Sequence, residues 1–244
     1  MLRAEDEGHT NHLLDALPAR EWQALHPFLE TVSLREGQVL CESGQPIEHV
    51  YFPVTAVVSL IYRMEDGLSN QVAAVGAEGM IGVPVLTGGK TMPMSVQVQF
   101  EGTAYRMKAA ALQQQFTSSD GLRRLLLLYM QALLVQVAQT AICNRYHSVC
   151  EQVCRWLLLE TDRMPGNEVQ VSHQLIAEML GVRREGISAA VGKLQDAGVI
   201  YTSRKSITVN DREGLQAHAC ACYGVVAREF SRLLPQVPAR EEVV

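Results

Sequence analysis

Arg183, Arg184, Glu185, Ser188 and Lys193 lie along one amphipathic segment of the 244-residue chain and carry its strongest chemical signal. At roughly 100° per residue the buried side of that segment takes Ile187, Ala190, Val191 and Leu194. The opposite side carries Glu185, Ala189 and Gly192, flanked by Ser188 and Lys193, with Arg183 and Arg184 at the leading end. Arginine can donate two hydrogen bonds to guanine and glutamate can accept from cytosine, so a small, polar, cationic-tipped face of this kind fits the major groove of DNA. Ala189 and Gly192 leave room for the backbone to approach. An ordinary helical hairpin with solvated arginines has the same periodicity, so the rest of the chain has to decide.

Other residues suggest chemistry less well. Gly76, Gly79 and Gly82 repeat every third position, and Gly88-Gly89-Lys90-Thr91 looks like the tail of a phosphate-binding loop. Such a loop needs a glycine where this chain has Pro84, and a helix where it has Met92-Pro93-Met94. Tight turns between strands explain these glycines better. Cys150 and Cys154 share a helix face with His147 a turn earlier, and Cys220 and Cys222 lie near His218. Thiolate and imidazole suit zinc or iron–sulfur clusters, but free cysteine in an apolar stripe is also a common small core residue. The second reading is preferred, with no metal and no cofactor expected. Neither a nucleophile elbow nor an HExxH helix is present, and no enzyme is expected.

The segment from Ser172 to Ile200 must position the first group. Ser172 is a candidate N-cap between Val171 and Ile176, and Leu175, Ile176, Met179 and Leu180 give a first helix one buried face. Gly181 supplies the left-handed residue that ends it, and a second helix starts near Arg183. The pattern predicts a helix-turn-helix. Glu168 to Val171 reads as a short strand before it, and Val199 to Val209 as a hairpin around Ser203-Arg204-Lys205-Ser206, a wing.

Arg184-Glu185-Gly186-Ile187-Ser188, after a first helix ending in Leu-Gly-Val, resembles the recognition helix of the Crp/Fnr family of bacterial transcription regulators. The resemblance implies base contacts from Arg184, Glu185 and Ser188. Ala189 departs from it, because many relatives carry arginine there, so a different operator is implied. The family's cyclic-nucleotide binders grip the ribose with a glycine-glutamate pair and the cyclic phosphate with an arginine-serine pair. Aligned from Ile81-Gly82, this chain puts Val83 at the glutamate, and Pro93 and Met94 at the arginine and serine. A buried phosphate without its charged partner is strongly disfavoured, so a degenerate pocket that takes neither cyclic AMP nor cyclic GMP is expected. The family's oxygen sensors carry cysteines near the N-terminus, whereas the first cysteine here is Cys41.

The remainder agrees with that order of parts. Residues 10 to 30 predict one or two short capping helices bearing Leu13, Leu14, Leu17, Trp22, Leu25 and Leu29. Thr31 to Met107 breaks into short β-rich runs punctuated by glycine, with a hairpin turn at Asp66-Gly67 between Val57–Tyr62 and Gln71–Val75. In Ser95 to Phe100, Val96, Val98 and Phe100 alternate with Gln97 and Gln99, the period of a strand with one buried face. From Asp120 to Asn144 a long helix carries Leu127, Met130, Leu134, Val137 and Ala141 at alternating three- and four-residue spacing, a two-helix coiled-coil seam. A break at Arg145 to Ser148 precedes a helix burying Val149, Val153, Trp156 and Leu157. A last helix is predicted from a capping box at Asn210 to Glu213, with a stripe from Leu215 to Leu233 and a stop at Pro235.

The expected class is α+β: an N-terminal antiparallel, jelly-roll-like β-roll over 1–118, a dimerisation helix over 119–146 and a winged helix-turn-helix over 147–244. Net charge is −5, yet residues 183 to 205 hold five Lys/Arg against two acids, a local patch suited to a sequence-specific reader. Glutamines interrupt the apolar run after Met130, and the first residues lack a signal-peptide core, so a cytoplasmic protein without membrane contact is expected. The predicted function is a homodimeric transcription regulator on a palindromic duplex operator, with RNA polymerase as a possible partner and an unknown small-molecule effector. The alternatives are a cysteine-based redox or metal sensor controlling DNA binding, and a protein-interaction module using the basic helix.

Overall fold

The computed structural model describes residues 11–65 and 67–234. Asp66 of the expected hairpin turn, Thr10 at the start of the first helical stretch and Pro235 at the end of the last therefore lie outside the described residues.

Two short helices, α1 (His12–Asp15) and α2 (Ala19–Leu25), open the described chain. Asn11 caps α1 and donates from Nδ2 to the carbonyls of Pro53 and Gly79, which pins the entry to the sheet region. Seven strands follow: β1 (Glu30–Leu34), β2 (Val39–Cys41), β3 (His49–Pro53), β4 (Val57–Arg63), β5 (Ser69–Val75), β6 (Ser95–Phe100) and β7 (Gly102–Lys108). They form two antiparallel sheets, ordered β1-β7-β3 and β2-β6-β4-β5. Val50, Phe52, Val58, Val96, Val98 and Met107 fill the space between them.

The three-residue glycine repeat turns out to serve close approach. A Cβ on Gly79 would stand 2.5 Å from the Tyr129 hydroxyl, which donates to the Met80 carbonyl. Gly82 has φ 100° and lies against Val50, so a side chain there is excluded by both conformation and space. Gly88 closes a short 3-10 turn over Val83–Thr87, and no helix follows Thr91.

Two helices then leave the sheets: α3 (Ala109–Ser118), which the strand pattern did not reveal, and α4 (Asp120–Tyr146). Ser119 caps α4, whose inner side buries Leu122, Leu125, Leu126, Tyr129 and Leu133 against the roll. By length and composition α4 would also pass for a membrane span, although glutamines follow Met130. Its packing on β5 and on the C-terminal helix marks it as part of the folded core.

The rest comprises α5 (Val149–Thr161), β8 (Glu168–Gln170), α6 (His173–Leu180), α7 (Arg184–Asp196), β9 (Ile200–Thr202), β10 (Ser206–Val209), α8 (Arg212–His218) and α9 (Cys222–Leu233). Ser148 and Glu151 cap α5 reciprocally. Strands β8, β10 and β9 form a small antiparallel sheet beside α6 and α7.

Two expectations need correcting. The last helix is split: Asp211, not Asn210, is the N-cap, and the chain is extended at Ala219 before α9 starts at Cys222. The stripe periodicity spans the break because both halves pack inward, which hides it. Gln99 is also not on a solvated face. It is buried with Ser59 and Gln71 because α5 covers the outer side of β4, β5 and β6. Val57, Ala74 and Phe100 of that face share one hydrophobic cluster with Trp156, Ile176, Ile187 and Leu194.

Candidate nucleic-acid interface

Ser172 accepts from the Leu175 amide at 3.1 Å and so starts α6, and Gly181 at φ 65° ends it. Arg183, in extended conformation, is the residue from which α7 begins. Ile187, Ala190, Val191 and Leu194 are buried, while Arg184, Glu185, Ser188, Ala189 and Lys193 are exposed together with Arg183. A Cβ on Gly192 would meet nothing within 4 Å, so this glycine is not required by packing and leaves the helix surface low.

A residue overlooked in the sequence enters here. Nδ1 of His173, the first residue of α6, lies 3.1 Å from the Ser188 hydroxyl. Burial lowers the His173 pKa, and the Arg184 charge lowers it further, which favours the neutral imidazole. Ser188 is thereby oriented from behind. The signal was a polar residue one position after the N-cap, indistinguishable in sequence from a solvated one.

The wing is built as expected. Ser203 donates its amide to the Ser206 carbonyl at 2.9 Å, the two hydroxyls pair at 2.8 Å, and Arg204 and Lys205 project between them into solvent. The Thr202 hydroxyl bonds the Gln195 side chain, which ties the wing to α7. Arginines at a helix start and a basic hairpin beside it can engage base edges and flanking phosphates respectively.

The helix-turn-helix is docked on the roll. Ser69 donates to the Glu178 carbonyl at 3.3 Å and Asn70 to the Leu180 carbonyl at 3.4 Å. Arg183, Arg184 and Glu185 therefore line one wall of a cleft of about 1070 Å³ whose other wall carries Glu36, Arg63 and Gln97.

On α4, Leu127, Leu134 and Ala141 are exposed, Leu134 at 67 %, while Met130 and Val137 are half-buried. In the roll Gly82 is buried, Val83 and Met94 pack partly on the core and Pro93 is exposed. None of these four lines the cleft at α7, and Lys90 is exposed. Cys150 and Cys154 neighbour each other on α5, and the exposed His218 bonds the Gly214 carbonyl within its own helix.

Comparison with known proteins gives this geometry a family. Residues 151–218 match the Crp-like helix-turn-helix domain and residues 31–119 the cyclic nucleotide-binding domain. A CRP-like cAMP-activated global transcriptional regulator of Mycobacterium tuberculosis is 24 % identical over 203 residues, which is 80 % of this chain and 91 % of the relative. A global nitrogen regulator of Nostoc is 26 % identical over 198 residues, 77 % of this chain and 87 % of the relative. Among solved structures, a putative Crp/Fnr regulator of Eubacterium rectale aligns with a TM-score of 0.67 at 17 % identity, covering 84 % of this chain and 96 % of its own. FixK2 of Bradyrhizobium japonicum aligns at 0.65 and 18 %, covering 79 % and 98 %. With both domain models matched in order and a helix-turn-helix in the second of them, this chain belongs to the Crp/Fnr family of DNA-binding transcription regulators.

Proposed function

We propose that the chain acts as a homodimer that reads a palindromic operator, with Arg184 and Glu185 on base edges and Arg204 and Lys205 on phosphates. The carrying observation is the division of α7: four apolar residues closed into the core, and a polar, cationic face left open. Ser188, held by His173, and Lys193 extend the contact along the groove, and Ala189 lets the backbone come close. Ser172 joins as a helix N-cap near the phosphates.

The dimer seam of this proposal is the outer stripe of α4. Leu127, Leu134 and Ile142 stand bare at 41 %, 67 % and 45 % exposure, with Met130, Val137 and Ala141 along the same helix. An isologous pairing of α4 with a second copy would cover them and set two α7 helices one turn of DNA apart, ~34 Å. The three parts are 1–118, 119–146 and 147–244. The roll takes an effector less polar than a cyclic nucleotide or serves as a scaffold, since the residues at the ribose and phosphate positions are Val83, Pro93 and Met94. RNA polymerase is the partner a bound regulator would meet.

Selection of bound sequences from a random DNA pool tests the reading. The expected product is an inverted repeat, and Arg184→Ala should relax one position in each half. A pool that stays random after selection would overturn it. For the seam, Leu127→Glu with Leu134→Glu should sediment as a monomer and lose most operator affinity. A dimer persisting in that variant would place the contact elsewhere.

A further inference from the structure

We propose that Cys143, His147, Cys220 and Cys222 form a four-coordinate zinc site that clamps the C-terminal end of α4 to the start of α9. Their ligand atoms all lie within 4.8 Å of one another. The Cys143 and Cys220 sulfurs are 3.5 Å apart, and the Cys222 sulfur is 3.5 Å from Nδ1 of His147. Bond lengths of about 2.3 Å to sulfur and 2.0 Å to nitrogen, arranged tetrahedrally, require edges of about 3.8 Å between sulfurs and about 3.5 Å between sulfur and nitrogen. The cluster already has the size of one ion's coordination shell. A four-iron cluster binds each thiolate at a separate corner and needs a wider set.

The surrounding fold supports the assignment. Cys143, Cys220 and Cys222 are 0 %, 6 % and 3 % exposed and form a buried cluster of their own, separate from the two apolar cores. Helix α4 ends one residue before His147, whose extended backbone turns the chain away from the helix axis. The break between α8 and α9 falls at Cys220, so two cysteines only two residues apart both turn toward α4. A continuous helix would have sent their side chains about 200° apart.

Charge gives the second, independent observation. Three thiolates and a neutral imidazole on Zn2+ leave a net charge of −1, which a buried site has to balance. Arg155 is 4 % exposed and acts electrostatically on Cys143 and on Cys222. It donates to the Thr140 hydroxyl at 2.7 Å, yet its Nε has no hydrogen-bond partner, and among the described residues no carboxylate pairs with it. A buried guanidinium without an anion is costly, and a negatively charged metal–thiolate centre beside it removes that cost.

The metal content of the full chain, purified with reductant and without chelator, tests this, followed by cobalt substitution. About one zinc per chain is expected, with thiolate-to-cobalt charge transfer and tetrahedral d–d bands after exchange. Cys143→Ser and Cys220→Ser should each weaken zinc binding more than tenfold, while Cys41→Ser and Cys150→Ser keep full occupancy. Chelation of the wild-type protein should lower its Tm and added zinc should restore it, a readout that does not depend on any variant folding. Metal-free protein with no tetrahedral cobalt spectrum overturns the proposal. So does iron with acid-labile sulfide, a Cys143–Cys220 disulfide that persists under reductant, or zinc affinity unchanged in Cys220→Ser. Each failure would leave the DNA selection untouched.

Discussion

The outer face of the β4-β5-β6 sheet and the outer face of α7 both carry polar side chains, and the protein treats them in opposite ways. On the sheet, Ser59 donates to Gln99 at 2.5 Å, Gln71 donates to Gln99 at 2.7 Å and to Ser59 at 2.8 Å, and the Trp156 indole donates to Gln71 at 2.9 Å. Apart from Gln99 Nε2, which has no hydrogen-bond partner, these groups bond one another inside the molecule. On α7, Arg184, Glu185 and Lys193 remain in solvent, while Ser188 is engaged by His173 and Gln195 by Thr202 of the wing. A polar surface whose hydrogen bonds are made mostly within the molecule joins two of its parts, and one left open is available to an external partner.

The closed face should be the more fragile. Trp156→Ala removes the indole that plugs α5 into the sheet and leaves Gln71 Oε1 without its donor, so a loss of about 3–5 kcal/mol is expected. Urea unfolding that shifts by less than 1 kcal/mol would show that the junction contributes little.

Glu160 lies beneath the same junction, 1 % exposed, and burial pushes its carboxyl pKa up to about 7, with the Arg163 charge working in the other direction. The folded state thus holds this proton more tightly than the unfolded chain, whose value is 4.5. Its contribution is fully present below that value and is lost as pH rises toward 7, a decline on the order of 3 kcal/mol. Comparing urea midpoints at pH 5 and pH 8 measures it, and Glu160→Gln should flatten the difference. An unchanged slope in that variant would assign the effect to another group.

What the sequence revealed divides along the same line. The winged helix-turn-helix was legible because each device in it is local: the Ser172 cap, the Gly181 turn and the apolar positions of α7 act within a few residues. The long α4 was legible for the same reason. The covered sheet was not, since Gln97 and Gln99 have identical spacing and only a helix some fifty residues away buries one of them. The cysteines show it most sharply. Spacing grouped His147 with Cys150 and Cys154, whereas the fold joins it to Cys143, to Cys220 in the break after α8 and to Cys222 at the start of α9. His173 escaped because its partner, Ser188, lies on a different helix.

For the open face, Arg184→Ala should cost ~1–3 kcal/mol on the selected operator and almost nothing on unrelated DNA. Arg204→Ala should weaken both alike and flatten the salt dependence, because a phosphate contact releases a counterion on any sequence. Competition binding at two salt concentrations separates them, and a sequence-selective defect in the wing variant would exchange their roles.

The smallest expected effect lies where the two faces meet. Ser69 and Asn70 reach the last carbonyls of α6 through hydrogen bonds of 3.3 and 3.4 Å, and in this docked arrangement the tip of α7 faces Glu36, Arg63 and Gln97 across the cleft. Long, partly exposed bonds of this kind are each worth under ~1 kcal/mol. If DNA binds an arrangement in which the helix-turn-helix has swung clear, the docked state reduces apparent affinity by the fraction it occupies. Ser69→Ala with Asn70→Ala should then raise operator affinity by a few-fold, up to about fivefold for 1 kcal/mol, without altering base preference. Unchanged or weaker binding would show instead that the docked arrangement is the one that reads DNA, with Ser69 and Asn70 holding α6 and α7 ready on the roll.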